Sequence, residues 1–171
     1  MATISDFQIR HLARTQGLIE PYEPAQQGPA SYDVRLGSKI LVEERPSSPG
    51  GQEWRQVDIS AADYMLAPGE FVLAHTLEYI RVPIDLECIF QLKSSRGREG
   101  YEHALAGYID PGFSGRVTLE LTNLRRYKAL PLKAGLLIGQ LRFSKMDEPP
   151  HRPYSLTGRY NGDLGVQCSK G

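Results

Sequence analysis

Between residues 116 and 122 polar and apolar positions alternate, so Val117, Leu119 and Leu121 share one face of an extended segment while Thr118, Glu120 and Thr122 share the other. The same period of two puts Leu86, Cys88, Phe90 and Leu92 on one face of a second segment. Comparable alternating or apolar runs predict strands at 31–36, 39–43, 53–59, 70–80, 86–93, 102–109, 116–123 and 136–144. Between them fall most of the 17 glycines and 12 prolines, as expected of short strands joined by tight turns. One helix is predicted near the start, with Ser5 as its cap, Phe7, Ile9, Leu12 and Ala13 as its apolar positions and Gly17 as its stop. Pro46, Ser47, Ser48, Pro49, Gly50 and Gly51 have the chemistry of a hairpin tip or flexible loop rather than of a domain linker, because strand-like sequence resumes directly beyond them.

From Asp147 onward the pattern fades into a polar stretch rich in Pro and Gly, with too few apolar residues for another core element. A chain of 171 residues suffices for one compact domain. Residues 1–146 are therefore read as a single β domain, and 147–171 as an arm. Charge adds little: 20 basic side chains balance 20 acidic ones, so no global field draws the chain to nucleic acid or membrane. No apolar run approaches the ~18 residues of a spanning helix, and the first residues lack the basic and apolar regions of a signal peptide; a cytoplasmic location is expected.

The metal-ligating residues are scattered. Cys88 and Cys168 belong to no Cys-x-x-Cys pair, and His11, His75, His103 and His151 stand at no zinc spacing. The His-x-Glu and Pro-Cys-x-x-Cys combination of zinc nucleobase deaminases is missing, so any deaminase chemistry here is expected to do without zinc.

Three polar stretches carry candidate chemistry. Lys93-Ser-Ser-Arg-Gly-Arg-Glu-Gly100 combines small hydroxyls, cations and exposed amides, a donor set suited to phosphate, although its order is not that of a Walker loop. Asp110-Pro-Gly112 signals a turn, and an Asp in that place is ordinarily only a turn former. Glu120 looks away from the main core, and its ordinary reading is a solvated carboxylate on the outer face of a sheet.

Taken together in order, Lys93-Ser-Ser-x-Gly-Arg98, Ala106-Gly-Tyr-Ile-Asp-Pro-Gly-Phe-Ser-Gly115 and Val117-Thr-Leu-Glu-Leu-Thr-Asn123 resemble the dCTP deaminase family of the dUTPase-like superfamily. Pro29-Ala-Ser-Tyr-Asp-Val-Arg-Leu-Gly37 is similar to that family's early strand. Leu130-Pro-Leu-Lys-Ala-Gly-Leu-Leu-Ile-Gly-Gln-Leu141 is similar to its last core strand, and Arg159-Tyr-Asn-Gly-Asp-Leu-Gly165 to its closing arm.

The resemblance implies a mostly β, distorted jelly roll with one short N-terminal helix and a flexible C-terminal arm closing over the nucleotide. It implies a homotrimer, sites built from neighbouring subunits, and Mg2+ held mainly by the triphosphate, with no metal site of the protein's own. By position, Glu120 is the general base for attack of water on C4 of cytosine, Ser94 and the Ala106 backbone hold that water, and Arg98 stabilises the charges. Lys93, Ser95, Arg96, Gly107, Tyr108, Gln140, Arg159, Tyr160 and Asn161 are the further nucleotide-binding candidates.

Gly107-Tyr108-Ile109-Asp110 resembles the pattern of bifunctional members, in which Asp110 would activate water at the α-phosphate and Tyr108 would pack on deoxyribose. The expected reaction is dCTP to dUMP, ammonia and pyrophosphate. Deamination alone, giving dUTP, and a nucleotide-binding regulatory trimer with weak or no catalysis are the alternatives. Asp163 stands where Gln is usual, and beside a triphosphate it would be repelled unless magnesium or Arg159 compensates.

Overall fold

The computed structural model describes residues 2–171. Every strand pair in it is antiparallel. Two five-stranded sheets dominate and enclose a core of aliphatic and aromatic side chains, as in a jelly roll. In the first, Leu137–Lys145 lies between Leu86–Leu92 on one side and Tyr32–Arg35 and Ala2–Thr3 on the other, and Tyr108–Ile109 closes the edge beyond Leu86–Leu92. The second runs, in spatial order, Tyr101–Glu102, Thr118–Asn123, Phe71–His75, Lys39–Glu44 and Glu53–Asp58. Smaller ladders join Ser114–Gly115 to Tyr79–Arg81 and Ile19–Glu20, and Leu130–Leu132 to Tyr64–Leu66.

The alternation at 116–122 is realised as expected. Val117, Leu119 and Leu121 are buried, and Glu120 faces outward, directly opposite Leu73 of the neighbouring strand. Lys39–Glu44 and Glu53–Asp58 form the expected hairpin, with exposed residues at its tip. The helix runs Asp6–Gln16 between the Ser5 cap and Gly17, whose left-handed conformation (φ 66°) ends it. Ile9 and Ala13 face the core, but Phe7 is 70% exposed and does not.

Besides the short elements Ala2–Thr3, Ile19–Glu20, Tyr64–Leu66, Ser114–Gly115, Leu130–Leu132 and Tyr154–Thr157, which no predicted run covers, three segments differ from the sequence reading. The single strand expected at 70–80 is two, Phe71–His75 and Tyr79–Arg81, in different sheets. The break is made by polar side chains buried at the corner: Thr76 Oγ1 donates to the Glu78 carbonyl, and the fully buried Glu78 carboxylate accepts from Arg35 N–H, Arg35 Nε and Gln26 Nε2. The strand expected at 102–109 is likewise two pieces, Tyr101–Glu102 and Tyr108–Ile109, again in separate sheets. Ala104 and Leu105 between them hold left-handed conformations (φ 54° and 58°), which no apolar pattern predicts. Finally, the polar run after Leu86–Leu92 is a short helix, Ser94–Glu99, closed by Gly100 at φ 108°.

The polar arm lies along the domain. Tyr154, in the short helix Tyr154–Thr157, sets its ring 5.8 Å from Phe113, and its N–H donates to the Pro111 carbonyl. Farther on, Gly162 N–H donates to the Ser114 carbonyl and Arg116 N–H to that of Asp163. Backbone pairing thus holds a segment that brings little apolar surface of its own. No helix among the described residues is long and apolar enough to cross a membrane.

Candidate active site

Beside the second sheet is a cavity of about 430 Å³, large enough for a nucleotide, whose walls include both Glu120 and Asp110. Glu120 reaches it because strand alternation turns the residue away from the core. Leu73 stands opposite Glu120 in register, and Phe71 and Trp54, with ring centroids 6.1 Å apart, continue the apolar wall. This half-buried, apolar setting raises the Glu120 pKa from its ordinary value, because desolvation disfavours the charged form more than a backbone hydrogen bond favours it. A carboxyl so placed takes a proton more readily than an exposed one, which is what a group that must accept and return protons requires.

Asp110 arrives by a different route. Phe90 N–H donates to the Gly107 carbonyl at 2.7 Å, and a Cβ at position 107 would lie 2.2 Å from the Phe90 carbonyl oxygen, so only glycine fits. That close approach docks Tyr108–Ile109 on the Leu86–Leu92 edge, after which the chain turns at Asp110 with Phe113 N–H on the Asp110 carbonyl. Gly112, at φ 85°, completes the turn and donates to the Val82 carbonyl. The exposed Asp110 side chain is left at the cavity wall. Asp110 is therefore both a turn former and a cavity residue. Tyr108 lines the cavity too; its hydroxyl donates to Glu87 (3.2 Å), and burial, then the Glu87 charge, raises its pKa.

Of the residues singled out from the sequence, Glu120, Asp110, Ala106, Tyr108, Tyr160 and Asp163 are cavity-lining, and Gly107 is buried between two of them. Ser94, Ser95 and Arg98 are exposed on the short helix outside the cavity. Arg96 on that helix pairs with Glu99 and donates to the Leu137 carbonyl; Lys93 before it pairs with Asp33. Gln140 accepts from the Ser31 hydroxyl on the far sheet. In the arm, Asn161 accepts from Ser114 N–H and Arg159 offers its carbonyl to Lys170. A single chain therefore brings together the two carboxylates and the aromatic groups but not the candidate phosphate-binding residues of the 93–98 stretch.

Several lining residues escaped the sequence reading. Thr118 shares the Glu120 face and could have been found from the alternation alone. Trp54, the one tryptophan of the chain, carried no local signal, since only pairing of Glu53–Asp58 into this sheet brings it close. Arg116 lines the cavity, donates from Nη1 to the Leu164 carbonyl, and keeps a buried Nε with no partner among the described residues. Gln167, Cys168 and Ser169 of the arm complete the wall. No group of three or more His, Cys, Asp or Glu side chains suited to a metal ion occurs among the described residues.

Residues 3–146 match the family model described as dCTP deaminase-like. A protein of Kocuria rhizophila named dCTP deaminase, dUMP-forming, is 38% identical over 98% of this chain and 93% of its own length. One of the same name from Acidothermus cellulolyticus is 40% identical over 98% and 94%. The crystal structure of 2'-deoxycytidine 5'-triphosphate deaminase from Agrobacterium tumefaciens superposes with a TM-score of 0.70 at 26% identity, over 85% of this chain. The match spans about half (48%) of that longer chain.

Proposed function

The chain belongs to the dCTP deaminase-like family, and on that premise we propose that it converts dCTP to dUMP, ammonia and pyrophosphate in the cavity shared by Glu120 and Asp110. The observation that carries the reading is the pair itself: two carboxylates on one cavity wall, one raised in pKa by an apolar surround and the other exposed at a turn. Two reactions at two ends of one substrate need two such groups.

In this reading Glu120 takes a proton from water as it attacks C4 of the cytosine ring, then returns protons to N3 and to the departing amino group, which leaves as ammonia. Leu73, Phe71 and Trp54 keep bulk water from that end of the ligand. Asp110 orients a second water toward the α-phosphorus, and Tyr108 and the arm cover the sugar and phosphates. Ser94, Ser95, Arg96 and Arg98, with Lys93 and Gln140, come to the site from a neighbouring subunit of a homotrimer, Ser94 holding the attacking water together with the Ala106 backbone. Exposure of Ser94, Ser95 and Arg98 in the single chain supports that division, as does the 85% exposure of Leu105 on the loop before the cavity.

Magnesium fits this arrangement as a passenger of the nucleotide. Oxygen donors such as Asp110 suit a hard cation that keeps much of its water shell, and the ion would neutralise charge on the triphosphate. Incubation with dCTP should release ammonia and pyrophosphate in equal amounts with dUMP. Accumulation of dUTP without pyrophosphate would overturn the coupled reaction.

A further inference from the structure

Residues 159–170 close on themselves at a point that none of these roles uses. Lys170 Nζ donates to the Arg159 carbonyl (2.8 Å) and to both carboxylate oxygens of Asp163 (3.4 and 3.2 Å), and stands 4.8 Å over the Tyr160 ring. The Lys170 N–H donates to the Tyr160 hydroxyl at 2.8 Å. The loop so closed is tied to the domain by Gly162 N–H on the Ser114 carbonyl, by Arg116 on the carbonyls of Asp163 and Leu164, and by Gln167 N–H on Thr118 Oγ1 (3.3 Å). Between these ties Gln167, Cys168 and Ser169 stand on the cavity wall with Glu120 and Trp54.

The sequence alone leaves Asp163 as an acidic group that a triphosphate would repel. In the structure its side chain, 17% exposed, meets Lys170, so its charge is met within the chain; Arg159 contributes only a carbonyl to the closure. A segment with so few apolar residues cannot be ordered by hydrophobic burial, and an ion pair supported by hydrogen bonds is the means left to it.

We propose that Asp163 and Lys170 are positioning residues, a clasp that holds the 164–169 loop so that Gln167, Cys168 and Ser169 form part of the wall of the Glu120 cavity, and that neutralises Asp163 before nucleotide arrives. The functional half of this rests on the nucleotide reading above; the structural half does not. Lys170→Gln both opens the loop and leaves a carboxylate uncompensated, so the KM for dCTP should rise roughly three- to tenfold, with a smaller change in kcat. The double variant Asp163→Asn/Lys170→Gln should be less impaired than Lys170→Gln alone, because the lone charge is gone. Exchanging the pair, Asp163→Lys with Lys170→Asp, should recover most of the loss. Raising the salt concentration weakens triphosphate binding in every variant, and beyond that common effect it should narrow the KM difference between wild type and the double variant.

Trp54 gives a readout free of catalysis, because it is the only tryptophan and shares the cavity with the strap. Acrylamide quenching of its fluorescence should increase in Lys170→Gln and return toward wild type in the exchanged pair, with melting temperature and subunit mass unchanged in both. Equal quenching and equal KM in wild type and Lys170→Gln would overturn the clasp, as would an exchanged pair no better than either single variant. If no protein, wild type included, acts on dCTP, the nucleotide reading fails while the quenching series still decides the clasp.

Discussion

Glu120 shows how much one side chain depends on its neighbours. Period-two alternation placed it on the outer face, and the same alternation made solvent exposure its ordinary expectation. What changed its character was Leu73 across the strand pair, with Phe71 and Trp54 on the same wall, none of them near it in sequence. Their effect on its pKa has a consequence for stability. With the folded-state pKa above its ordinary value near 4.5, the folded protein holds the proton more tightly than the unfolded chain, so ionisation costs stability as pH rises through that interval. Glu120→Gln removes the cost. The variant should melt at a higher temperature than wild type at pH 7–8, and the gap should shrink toward zero below about pH 4, where both states are protonated in the wild type. Calorimetric melting across that range checks both halves. Gly107 gives the opposite case: Gly107→Ala forces a Cβ against the Phe90 carbonyl, should cost about 1–3 kcal/mol, and should lower both activities together by displacing Asp110.

Among the elements, the long regular strands and the first helix were legible because each carries its own periodicity. Polar side chains buried at corners carried no such signal, and neither did left-handed residues, which is why 70–80 and 102–109 each read as one strand. The helix Ser94–Glu99 escaped for a related reason: two serines and a glycine in six residues make a poor helix on propensity, and Gly100 at its end makes a good cap. The polar, core-poor character of residues 147–171 was legible, but their path was not, since that path is fixed by backbone partners on Ser114–Gly115 and Arg116 that no composition reveals. Because the arm adds wall rather than core, truncation before Gly158 should leave a folded domain with a raised KM and slower turnover. Circular dichroism and steady-state kinetics on the truncated protein test this together, and loss of the fold on truncation would contradict it.

At the scale of the whole molecule, one chain supplies a cavity with both carboxylates yet leaves Ser94 and Arg98 exposed outside it. The order of motifs made the family readable from the sequence, and the resemblance already implied a site shared between subunits; the exposure of Ser94 and Arg98 outside the cavity supports that proposal. Light scattering should therefore report three chains per particle. Mixed particles formed from Ser94→Ala and Glu120→Gln chains should regain activity that neither has alone, because some of their sites combine the intact Glu120 of one subunit with the intact Ser94 of another. In the proposed reaction the two carboxylates divide the labour, Glu120 at the base and Asp110 at the α-phosphate. The measurement is product release by folded Glu120→Gln and Asp110→Asn variants supplied with dCTP and, separately, with dUTP. Glu120→Gln should lose about 10²–10⁴-fold in ammonia release while still cleaving dUTP, and Asp110→Asn should lose pyrophosphate release while still freeing ammonia from dCTP. Loss of ammonia and pyrophosphate release from dCTP, together with loss of pyrophosphate release from dUTP, in both folded variants would contradict the two-role assignment.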